Sequence, residues 1–129
     1  MPISDAYANA ILDELYGSGT PATLYFALFT AAPAADGTGG TEVTGGSYAR
    51  AAMTNNATNF PAASGGQKSN GTGISWATAS ALWGTVTHLV VFDALSGGNR
   101  YDFGPLDAPR TINNGDTFSV APSQFVITA

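Results

Sequence analysis

Trp83-Gly84-Thr85-Val86-Thr87-His88-Leu89-Val90-Val91-Phe92-Asp93, then Ala94-Leu95-Ser96-Gly97-Gly98, then Asn99-Arg100-Tyr101-Asp102-Phe103-Gly104 is the stretch on which the fold turns. Thr85 to Phe92 is dominated by β-branched, aliphatic and aromatic residues, which suit a pleated, packed surface. Asp93, Ser96, Gly97 and Gly98 then supply turn chemistry, so the segment predicts a β-hairpin. Leu89-Val90-Val91-Phe92 is apolar without alternation, and such a run offers both faces of a strand to apolar surroundings. The strand is expected inside a sheet, each of these side chains contributing roughly 1.5–3 kcal/mol of burial before entropy costs.

Upstream, residues 4–16 read as a helix: Ser4 can cap, Asp5 suits the positive end, and Tyr7, Ala8, Ile11, Leu12 and Leu15 share one stripe. Gly17 ends it. Asp13 and Glu14 sit where the dipole disfavours them, so packing must hold this helix. Ala22 to Thr30 predicts a strand with aromatics on both faces, followed by a glycine-rich loop over 31–46. Tyr48 to Thr54 resumes a strand. A second loop spans 55–71, with Phe60-Pro61 as anchor and Lys68-Ser69-Asn70-Gly71 turn-like, and Thr72 to Ala77 is a short strand carrying Trp76.

Downstream of the hairpin, Leu106 to Ile112 is extended, and Pro105 and Pro109 mark it as an edge. Asn113-Asn114-Gly115-Asp116 predicts a tight turn of the primed type, with Thr111-Ile112 and Thr117-Phe118 flanking it. Ser119 to Ala121 and Gln124 to Thr128 supply the last strands. Four glycine pairs, at 39–40, 45–46, 65–66 and 97–98, reuse turn chemistry without forming a repeat. Seven or eight strands predict a mainly β fold, an antiparallel β-sandwich or jelly roll with one N-terminal α-helix, in a single domain over 1–129 whose β part spans 20–129.

Only 10% of residues are charged, so much of the surface is expected to lie against partners or further copies of the chain. The net charge of −5, with Arg50, Lys68, Arg100 and Arg110 scattered singly, argues against nucleic acid and anionic membrane as partners. No cysteine is present, so disulfides and thiolate chemistry are excluded. No run approaches a membrane span, and residues 1–4 lack the pattern of a secretory leader, so folding in the cytosol is expected and the sequons at Asn56 and Asn70 read as loop chemistry.

Candidate chemistry is sparse. Gly17-Ser18-Gly19 follows a helix and Gly71-Thr72-Gly73 leads into a strand, so neither suits a phosphate cradle. Asp36 and Glu42 lack calcium-loop spacing. His88 with Asp93 and Asp102 is the one constellation with enzyme-like residue types, yet no serine sits in a nucleophile elbow, and no catalytic residue, metal ligand or cofactor is expected. Trp76, Trp83, Tyr48 and Tyr101 could stack on sugar rings, which keeps a carbohydrate-binding module as an alternative.

The run Thr23-Leu24-Tyr25-Phe26-Ala27-Leu28-Phe29-Thr30-Ala31-Ala32-Pro33 and the run Thr41-Glu42-Val43-Thr44-Gly45-Gly46-Ser47-Tyr48-Ala49-Arg50 carry a resemblance. So do Trp83 to His88, Phe92-Asp93-Ala94 with Gly97-Gly98-Asn99, Gly104-Pro105-Leu106, and Ser4-Asp5-Ala6-Tyr7. Together they resemble small virion proteins of tailed bacteriophages, often labelled tail-fibre proteins. Phe26 departs from the commoner pattern of that family, with consequences for packing alone. The resemblance implies a non-enzymatic structural protein of a virion assembled in the host cytoplasm, with the major capsid protein or tail proteins as partners. Size and shape favour capsid decoration, in which binding to the assembled lattice stabilises it; the alternative is a tail or fibre-base component. Decoration at three-fold positions would favour a closed trimer. The contact residues expected are Tyr7, Ile11, Pro33, Glu42, Tyr48, Phe60, Lys68 and Trp83, on the helix, the two long loops and their margins.

Overall fold

The computed structural model describes residues 4–128; the expected domain's ends at 1–3 and 129 lie outside them. In chain order the elements are helix α1 (Asp5–Leu15) and strands β1 (Thr23–Ala31), β2 (Thr41–Glu42), β3 (Ala51–Thr54), β4 (Gln67–Ser69), β5 (Ile74–Ser75), β6 (Gly84–Phe92), β7 (Arg100–Ile112), β8 (Ser119–Val120) and β9 (Val126–Thr128). The fold is mainly β with antiparallel ladders and one N-terminal helix. Nine strands are found among the described residues where turn signals predict seven or eight. β2 and β4 make the difference: both are short and polar, and pairing with β1 and β9 rather than their own propensity extends them. Lys68 and Ser69, expected in a turn, therefore lie in a strand.

The chain forms two compact units, each discontinuous in sequence. One takes Leu24–Ala52 and Ser75–Phe118. Its sheet runs β2-β1-β6-β7, with β3 also paired to β1. β1 and β6 occupy the interior, Tyr25 opposite Phe92 and Phe29 opposite His88. Their apolar runs explain the placement: Phe26 through Phe29 and Leu89 through Phe92 are buried on both faces. Ala27, Phe29, Val90 and Phe92 cluster on one face, with Tyr25 and Phe103 packed against them. Trp76 is buried, and its indole Nε1 donates to Phe26 O at 3.0 Å.

Two sequence expectations change in this unit. The return strand of the hairpin and the separate Leu106 to Ile112 strand are one 13-residue strand, β7, whose register slips between the His88–Pro105 and Val86–Arg110 pairs. The turn at 113–116 forms, with Asp116 N donating to Asn113 O at 3.0 Å, but it does not make a hairpin of Thr111-Ile112 and Thr117-Phe118. Only Gly115 takes positive φ (93°) there, as at the third position of a type II turn, whose twist splays the flanking chain. Phe118 O accepts instead from Trp76 N (3.1 Å), and Ile112 O from Trp83 N (2.9 Å).

The other unit takes the chain up to Thr23, Met53–Ile74 and the chain from Ser119 onward. Ser4 caps α1, its hydroxyl accepting from Tyr7 N. The expected stripe divides: Ala8, Leu12 and, one turn on, Tyr16 are buried, whereas Tyr7, Ile11 and Leu15 face outward. Tyr16 meets Phe60 and Phe125, ring centroids 5.4 and 6.2 Å away. β4 and β9 form a two-stranded ladder, Lys68 opposite Ile127. The 55–71 segment, expected to be a loop anchored at Phe60-Pro61, supplies this unit's core through Phe60 and also through Asn55, Lys68 and Asn70.

Candidate functional site

Arg50 organises the densest polar network. Its side chain is 6% exposed, and Nε and Nη2 reach Glu42 Oε2 and Oε1 at 2.9 and 3.0 Å, a two-pronged pairing that only a guanidinium makes. Nη1 donates to Ala94 O and Gly97 O, both at 2.8 Å, and Cζ lies 3.5 Å from the Phe92 ring centre. Tyr48 Oη donates to Glu42 Oε2 at 2.7 Å and accepts from Leu28 N at 3.0 Å; burial, opposed by that Leu28 bond and reinforced by Glu42, pushes the phenol far above its usual range. Nearby, Arg100 Nη1 holds Gly37 O and Gly39 O at 2.8 and 2.5 Å, so the 31–46 loop is pinned.

Of the expected contact residues, Tyr7 and Ile11 are exposed, at 73% and 44%. Glu42 and Tyr48 are half-buried in the Arg50 network. Pro33, Phe60, Lys68 and Trp83 are buried within the chain. Lys68 Nζ reaches Asp13 Oδ1 at 2.7 Å, and Ala63 N donates to the same oxygen at 2.8 Å. The lysine hydrogen bond, then the Ala63 amide, holds the Asp13 carboxyl below the usual carboxylate range. Trp83 packs edge-on to Tyr48, centroids 5.3 Å apart, and donates from Nε1 to Gly46 O at 2.8 Å.

The alternative sites come apart on this geometry. His88 Nδ1 lies 2.8 Å from Thr87 Oγ1. Asp102 pairs with Val91, three residues along β6 and so on the opposite face of the sheet, roughly 10 Å away by strand rise. Asp93 is engaged by Asn99 through its backbone N (2.7 Å) and Nδ2 (2.9 Å). Glu42 has both oxygens on Arg50, and Asp36 accepts from the Thr38 hydroxyl (2.7 Å), so the two do not form a cation pair. Among the described residues no cluster of three or more His, Asp or Glu is placed to hold a metal ion, and no helix is long and apolar enough to cross a membrane. Trp76 and Trp83 are 4% and 5% exposed, so their faces offer no platform to a sugar. An open concavity of about 320 Å³ lies beside β4, lined by Pro61, Ala62, Ser64, Gln67 and Val126; its only cationic lining group, Lys68, is already engaged by Asp13.

Arg50, Asn55 and Asn70 are the organising residues whose roles sequence reasoning passed over. A lone arginine in an otherwise small-residue and apolar stretch was the available signal for the first; nothing local distinguishes the two asparagines from turn formers.

No curated protein matches the chain. Residues 2–128 match the model of the family described as Podophage GP4 fiber I protein gp80. That description is of a structural fibre component of a phage particle, the class the sequence resemblance implies, and it names the fibre rather than the capsid surface. With nearly its whole length matched, the chain belongs to the podophage GP4 fiber I protein gp80 family.

Proposed function

We propose that this chain is a non-enzymatic subunit of a phage tail fibre or fibre base, binding other tail proteins through shallow polypeptide contacts. The family match over residues 2–128 carries the reading. Capsid decoration rests on size and shape, which suit a fibre-base subunit equally well, and the family's description as a fibre protein supports the tail reading. Separation of His88 from Asp102, and the engagement of Asp93 by Asn99, support a structural rather than a catalytic role. Tyr7 and Ile11 of α1 are the contact residues we retain, because their side chains remain outside the core that Ala8, Leu12 and Tyr16 build.

Gold-labelled antibody against the chain, applied to purified particles with copy number counted by mass spectrometry, tests this. A few copies at the tail are expected. Many copies spread over the head would restore decoration, and absence from the particle would overturn a virion role. The Tyr7→Ser, Ile11→Ser double variant should keep its unfolding midpoint within about 0.5 kcal/mol, as surface changes do, yet enter particles less well.

A further inference from the structure

The chain contains two Asn-Gly dipeptides, Asn70-Gly71 and Asn114-Gly115. This pairing is chemically labile: glycine has no side chain to shield its amide nitrogen, which can attack the preceding asparagine's Cγ. The nitrogen loses its proton, the new N–Cγ bond closes a five-membered succinimide, and Nδ2 leaves as ammonia. Solvent water then opens either carbonyl, giving aspartate or isoaspartate.

Both glycine amides are hydrogen-bonded at 2.7 Å, so the two sites differ in the asparagine side chain and in the space around it. Asn70 is fully buried, its Oδ1 accepting from Phe125 N (3.0 Å) and its Nδ2 donating to Thr72 O (2.9 Å) and Ala121 O (3.1 Å). Gly71 N is held by Asn59 O at 2.7 Å, and a Cβ built on Gly71 would lie 2.5 Å from Thr58 O, so the chain is crowded on that side although Gly71 itself is exposed. Asn114 is exposed, and its side-chain amide has no partner among the described residues. Nothing lies within 4 Å of the space beside Gly115. One restraint remains there, the donation of Gly115 N to Ala79 O at 2.7 Å.

We propose that Asn114 is the deamidation site of the folded protein and that the fold protects Asn70. The reaction at Asn114 adds a negative charge beside Asp116, and isoaspartate also adds a backbone carbon within the turn. Ala79 is bonded twice to this turn, through Gly115 N and through its own N to Asp116 O (2.9 Å), so the lengthened backbone displaces both bonds. Deamidation there thus acts as an ageing modification of the turn.

The test is peptide mapping by mass spectrometry, with isoaspartate quantified, on the full chain held at mildly alkaline pH either folded or in urea. In urea both asparagines should convert at similar rates. In the folded protein Asn114 should convert about tenfold more slowly than in urea, the factor one net backbone hydrogen bond supplies. Asn70 should lag Asn114 by about a hundredfold or more, because it needs local opening first. Asn114→Gln should abolish the acidic species that accumulate in the folded sample. Conversion of Asn70 as fast as Asn114 in the folded protein would overturn the proposal. So would an intact folded Asn114 once the urea sample has reacted fully at both sites.

Discussion

Arg50 and Asn55 each hold together segments distant in sequence, and they do it by different chemistry. Arg50 satisfies a carboxylate, two carbonyls and an aromatic face at once, which needs a planar fork. Arg50→Lys supplies one ammonium that cannot reach all of these, and the partly buried Glu42 loses its paired geometry. A loss of about 2–3 kcal/mol is expected in urea unfolding, and an unchanged midpoint would refute the network's role. Asn55 closes α1: its Oδ1 accepts from Gly17 N, while Nδ2 donates to Leu15 O (3.3 Å) and Pro21 O (3.0 Å). Asn55→Ala leaves buried donor and acceptor groups unmatched, for an expected cost of about 2–4 kcal/mol, with fraying of the helix end visible as faster amide exchange at Tyr16 and Gly17.

At the scale of elements, glycines serve two purposes that a substitution pair can separate. Gly45 has no left-handed φ; it is small because Trp83 Cδ1 and Leu82 O crowd the place a Cβ would take. Gly45→Ala should cost about 1–3 kcal/mol by overpacking. Gly104, inside β7, has open space around it and no positive φ, so Gly104→Ala should be neutral or stabilising by up to about 1 kcal/mol through the unfolded chain. Parallel melts of the two variants check the contrast. β7 is also the terminal strand of its sheet and the longest strand described, which makes it a template for unwanted pairing. Pro105, Pro109 and the register slip between them and β6 blunt that edge. The Pro105→Val, Pro109→Thr double variant should show concentration-dependent association by light scattering where the parent does not.

For the whole molecule, acid is the informative stress. Asp13, Asp36 and Asp93 each titrate below the ordinary 3.8, held down chiefly by Lys68, by the Thr38 hydroxyl and by the Asn99 backbone amide respectively. A lowered folded pKa means that the folded state binds the proton less readily than the unfolded one. The stabilisation is therefore fully present well above 3.8, and it is lost as pH falls through that value and the lower folded ones. Urea midpoints measured downward from neutral pH should stay level and then drop below about pH 4, and Asp13→Asn should flatten part of that drop. The sequence alone determined the helix, the interior pair of strands and the β class, because those follow from periodicity and apolar runs that each segment carries within itself. It also carried the virion family, through motifs spread along the whole chain. Tertiary structure alone decided where the polar residues go. Lys68 and Phe60 lie in a segment with loop composition, and the Asn113 to Asp116 turn reads as a hairpin, because local chemistry permits both outcomes. Only a carboxylate brought 55 residues along the chain to Lys68, and only a backbone partner at Trp76 for Phe118, choose between them. Such choices depend on long-range hydrogen bonds and burial, which no window of sequence contains.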